Sequence, residues 1–161
     1  LNWYEYAFEF FETIVGILSE NITYLQSSQH NGYGQDVVFE LTEIFLKAMA
    51  DKGLSPSQGL RVFQAVSNVS IAAAIQEWRQ QDLYGNSTTV YEAVQSAFKG
   101  VEPGKLPNLE IVLEEYASPA RVHTDILLIT YFEAIASERG EKITNNRGTT
   151  AINSSTNNGQ M

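Results

Sequence analysis

With 161 residues, 43% of them hydrophobic, the chain is long enough for one domain with a true core. Its formal net charge of -9, with ten Lys and Arg scattered from Lys47 to Arg147, argues against nucleic-acid binding by these residues, because such affinity comes mostly from phosphate neutralisation. The lack of cysteine excludes a disulfide framework and a thiolate metal site, and no apolar run approaches the ~18 residues of a membrane span.

The chain opens at Leu1 directly inside a helix signal, as a piece of a longer protein would. No basic region precedes an apolar stretch, so a signal peptide is not expected and the location read from the sequence is cytoplasmic. Asn2 to about Leu25 reads as the first helix: Asn2 caps it, Glu5 completes a capping box, and Trp3, Tyr6, Ala7, Phe10, Phe11, Ile14, Leu18, Ile22 and Leu25 recur at three-and-four spacing. Gln26 to Gly34 reads as a loop. A second helix is expected from about Gln35 to Lys52, with Val38, Leu41, Phe45, Ala48 and Met49 in one stripe and Gly53 as its left-handed cap.

The central element begins at Ser55. Ser55 is an N-cap, Pro56 suits the first helical position and Gln58 closes a capping box. The apolar residues from Leu60 to Ile75 leave no wide polar face, which predicts a helix buried on more than one side. Running to about Gln81, it would span roughly 39 Å. Gln64, Ser67, Asn68 and Ser70 interrupt the apolar middle and would need partners if buried. Beyond it, Thr89 and Glu92 box a short helix to about Phe98, and Leu106-Pro107-Asn108-Leu109 opens another to about Tyr116. Pro119 to Glu138 makes the last. The fold expected is all-α, an antiparallel bundle of about six helices over residues 1–139, followed by a polar, disordered tail over 140–161.

Catalytic signatures are missing. There is no P-loop, dinucleotide fingerprint or nucleophile elbow. His30 and His123 stand far apart and fit no metal spacing. Glu40 and Glu43 could share a helix face, but no Glu-x-x-His pair accompanies them. No catalytic residue, metal or cofactor is expected, and an enzyme such as a carboxylate-bridged metal protein ranks behind the binding readings. The Asn-x-Ser/Thr sequons at Asn21, Asn68, Asn86 and Asn153 are taken as chance. The aromatics are more informative: placed among helices beside Asn68, they suggest a mainly apolar pocket with a few polar groups, plain core packing being the alternative. The excess of apolar residues on the central and last helices suggests faces shared with a second copy.

The order of these motifs resembles the C-terminal domain of TetR-type transcriptional regulators. The resemblance rests on the Lys-Gly-Leu-Ser-Pro-Ser-Gln junction at 52–58, the long helix after it, Leu106-Pro107-Asn108-Leu109 and the last helix through Ile135, and covers about Asn2 to Glu138. It implies a ligand-binding and dimerisation domain whose small, largely apolar effector controls DNA binding by an N-terminal helix-turn-helix that these residues do not contain. The expected ligand-binding residues are Phe11, Ile14, Leu18, Phe45, Met49, Phe63, Asn68, Trp78, Tyr91 and Tyr116. The expected homodimer interface holds Ala72, Ile75, Leu127, Leu128, Tyr131 and Ile135. The alternative is a helical protein-interaction module without a small ligand.

Overall fold

The structure, a computed structural model, describes residues 1–23, 35–85 and 88–144. Among them are seven helices and no strand: α1 (Trp3–Glu20), α2 (Gln35–Asp51), α3 (Pro56–Tyr84), α4 (Val90–Phe98), α5 (Pro107–Ile111), α6 (Leu113–Tyr116) and α7 (Ala120–Glu138). The all-α class is as expected. One helix more than expected arises because the segment opened by Pro107 breaks at Val112, where φ -106 and ψ 16 leave the helical region. The tail expected to be disordered from residue 140 is instead placed as far as Thr144, where Glu141 accepts the Trp3 indole N–H and Ile143 packs on the core. Leu25, the loop read at 26–34 with His30, the sequons at Asn86 and Asn153 and the rest of the tail lie outside the described residues.

Local chemistry sets the boundaries. Reciprocal capping boxes start three helices: Asn2 with Glu5, Ser55 with Gln58 and Thr89 with Glu92. Two helices end in the same way. Gly53 sits at φ 88, and the amides of Gly53 and Leu54 return to the carbonyls of Ala50 and Met49, closing α2. Gly140 sits at φ 67, and the amides of Gly140 and Glu141 return to Ser137 and Ala136, closing α7. Both are Schellman caps, which need a residue free to adopt positive φ.

The core lies around α3, which packs against α1, α7 and α2. Its buried side is Gly59, Val62, Val66, Val69, Ser70, Ala73 and Ala74, a stripe of small residues that lets neighbours approach. At Gly59 an added Cβ would lie 3.2 Å from Met49 Cβ, so α2 and α3 meet closely there. α1 wedges between α2 and α7. On one flank Trp3 and Phe8 meet Phe132, with ring centroids 5.6 and 5.1 Å apart; on the other Phe10 and Tyr6 meet Phe45 at 4.9 and 5.9 Å. α7 turns a ladder of Ala120, Thr124, Leu128, Phe132 and Ala136 inward, with Ile135 beside it. The buried hydroxyls of Ser70 and Thr124 donate to carbonyls of their own helices, Ser70 to Val66 and Thr124 to Ala120 and Arg121. α4, α5 and α6 form a limb in which no residue is buried.

Candidate functional site

The ten expected ligand-binding residues do not form one lining. Phe11 of α1 and Phe45 and Met49 of α2 are fully buried members of the core. Phe63 packs half-buried against them, its ring 5.4 Å from that of Phe45. Ile14 and Leu18, further along α1, are half-buried. Asn68, Trp78, Tyr91 and Tyr116 are exposed. Asn68 is therefore not a polar group set inside an apolar pocket; with Gln64 and Ile71 it lies on the outer side of α3. The fourth interrupting polar residue, Ser70, is buried and bonded within its own helix.

Two hollows are formed elsewhere. One, of about 210 Å³, lies at the end of α3 among Glu77, Gln80, Gln81, Tyr84 and Val90. The other, of about 620 Å³, lies where α1 begins, among Trp3, Tyr4, Asp51, Lys52, Glu141 and Lys142. Neither is lined by any of the ten expected residues, and both have mixed polar walls rather than the apolar walls usual for small-molecule pockets.

The interface residues divide likewise. Leu128 and Ile135 are fully buried in the chain's own core and present nothing to a partner. Ala72, Ile75 and Tyr131 are half-buried. Leu127 is 57% exposed. Around it Ile126, Thr130 and Ala134 also face outward, one and two turns apart, so opposite its inner ladder α7 exposes apolar and small residues, interspersed with His123, Glu133 and Ser137. The limb before it exposes Ile111, Val112 and Tyr116 as well.

Composition did not single out Arg121. It stands in the first turn of an apolar helix and joins three elements. Its guanidinium pairs with Glu12 of α1 at 2.7 Å and Glu77 of α3 at 3.5 Å, and lies 4.9 Å from the centre of the Phe11 ring. Burial opposes its charge, but the hydrogen bond to Glu12 and the charges of Glu12, Glu77 and Asp125 outweigh that and raise its pKa above the ordinary arginine value. The signal available in sequence was an arginine among apolar residues of a core helix. His123, two residues on, is exposed, and Glu40 and Glu43 lie on the open side of α2. Among the described residues no group of three or more His, Cys, Asp or Glu stands close enough to hold a metal ion. No described helix is long and apolar enough to cross a membrane.

Comparison with family models, with curated proteins and with solved structures finds no match.

Proposed function

We propose that this chain is the effector-binding and dimerisation domain of a TetR-like regulator, sensing a small, largely apolar molecule that controls DNA binding by a helix-turn-helix outside these residues. The observation that supports it most is the two-sidedness of α7. The helix has apolar residues on both sides: its inner ladder is used by the core, and Ile126 and Leu127 remain in the open beside the exposed polar His123, Glu133 and Ser137. Large apolar side chains grouped in this way mark association surfaces. A second copy related by a two-fold axis would bring each outer stripe against its twin, with Thr130 and Ala134 small enough for close approach. The long α3 packed against α1, α2 and α7, after a Gly-Leu-Ser-Pro junction, fits the same reading.

The effector would enter from the aromatic side, where Phe63 and Phe10 lie half-buried above Phe45. Titrating apolar ligands while following the fluorescence of the two tryptophans checks this. Saturable binding that weakens on Phe63→Ala is expected; no saturable response across chemically varied apolar ligands would remove the effector from the reading.

A second reading has its own support. Phe11, Phe45 and Met49 are packed without exposure, and neither hollow reaches them. A helical interaction module would need no pocket and would use the exposed stripe of α7 for another protein.

A further inference from the structure

We infer that Arg139–Thr144 is a strap that locks the first turn of α1 to the C-terminal ends of α2 and α7, so that these helix ends move as one unit. The Schellman cap at Gly140 turns the chain back across the end of the bundle. Arg139 then donates to the Gly53 carbonyl in the α2–α3 turn at 2.6 Å, and more loosely to Gln58 Oε1 at 3.4 Å. The same guanidinium holds Glu141 Oε1 through Nε at 2.9 Å and Nη2 at 2.8 Å. The other oxygen of Glu141 accepts the indole N–H of Trp3 at 2.9 Å. Further along, Ile143 packs on the core and the Thr144 hydroxyl lies 3.4 Å from that of Tyr4. Lys52, next to Gly53, closes the circuit: its ammonium donates to the Leu1 carbonyl at 2.8 Å.

Charge and geometry make Arg139 the joint. It places a cation at the negative ends of two helices at once, α2 and α7. Its fork to the Glu141 carboxylate is of the strong, charge-assisted kind. Removing Arg139 takes the bond from the Gly53 carbonyl and from one Glu141 oxygen, and removing Glu141 takes it from the Trp3 indole and from one side of Arg139. Bonds sharing partners in this way lose their energies together rather than singly. The strap continues the helix that carries Ile126 and Leu127, so a displacement of α7 reaches Trp3 along one rigid rod and two side chains. In the regulator reading the helix-turn-helix lies N-terminal to these residues, and the strap would carry a shift of α7 toward that end of the chain through α1. That consequence rests on the reading; the strap itself does not.

The test is amide and indole hydrogen exchange by NMR on the full chain, without DNA or effector, so that its failure leaves the regulator reading standing. Three reporters are followed: the Trp3 indole N–H, the Tyr6 amide bonded to Asn2, and the Leu54 amide bonded to Met49. Arg139→Gln and, separately, Glu141→Ala are expected to speed exchange at all three by roughly 10-fold, while core amides such as Val66 and Leu128 keep their rates. Arg139→Lys, which keeps the charge but loses the fork, is expected to fall between. Arg61→Gln, which breaks the neighbouring α3–α7 pair between Arg61 and Glu138, is expected to leave the three reporters unchanged. Reporters that respond one at a time, each only to loss of its own partner, would overturn the strap. So would an equal rise at the core amides, including any variant that fails to fold.

Discussion

Leu127 and Leu128 are adjacent, yet Leu127 is 57% exposed while Leu128 is fully buried beside Phe132. Leu128→Ala should cost about 2–5 kcal/mol in chemical unfolding, because a core leucine leaves both lost burial and a cavity. Leu127→Ala should change the stability of a single chain by no more than about 0.5 kcal/mol. Leu128→Arg, which a partner-facing leucine would make a test of association, should instead unfold the chain. Two carboxylates near the end of α7, Glu138 on the helix and Glu141 in the strap, give a pH signature. Glu141 is held below the usual carboxylate range by its hydrogen bonds from Arg139 and then Trp3, and Glu138 by its hydrogen bond from Arg61. A folded pKa below the unfolded value contributes stability that is full above the unfolded value of about 4.3 and is lost as pH falls through the folded one. Both groups are largely in water, so the amplitude is small. Melting temperature should therefore fall as pH drops below about 4.3, and less steeply in Glu141→Gln. An identical slope in the variant would contradict the pairing seen here.

At the scale of elements, helix starts were legible because capping boxes are local chemistry: Asn2, Ser55 and Thr89 each have the side chain and the partner three residues on. Ser55→Ala should cost about 1 kcal/mol, read from a urea midpoint. Orientation was less legible. The stripe read for α1 omitted Tyr4, Phe8 and Val15, which are buried, because a helix wedged between two others uses both flanks and periodicity does not rank them. In α7 the inward ladder includes Ala120, Thr124 and Ala136, which hydrophobicity alone passes over, while Ile126 and Leu127 point out. The break at Val112 had no Pro or Gly to announce it. The candidate pocket was the least legible feature: aromatic residues of a core and of a ligand site look alike until their neighbours are known, and Trp78 and Tyr116 prove to lie outside. The limb of α4, α5 and α6 buries no residue, so its amides should exchange well before those of α3 and α7. Protection there equal to the core would mean that a partner covers it.

For the whole molecule, charge and apolar surface act in opposite directions. Each chain carries a formal charge of -9, so two copies repel, and the stripe of α7 must outweigh that repulsion. Salt screens the repulsion without weakening apolar burial, so association should strengthen as ionic strength rises. The same charge, with no basic cluster, predicts no duplex DNA binding by residues 1–161 at physiological salt; a tight, sequence-dependent gel shift would contradict it. Pairing through α7 underlies the proposed function, and sedimentation equilibrium at micromolar concentration tests it most directly. A species of twice 17.9 kDa is expected, reverting to one chain mass in Leu127→Arg while the fold is kept; a wild-type chain that sediments as a single 17.9 kDa monomer would contradict the account.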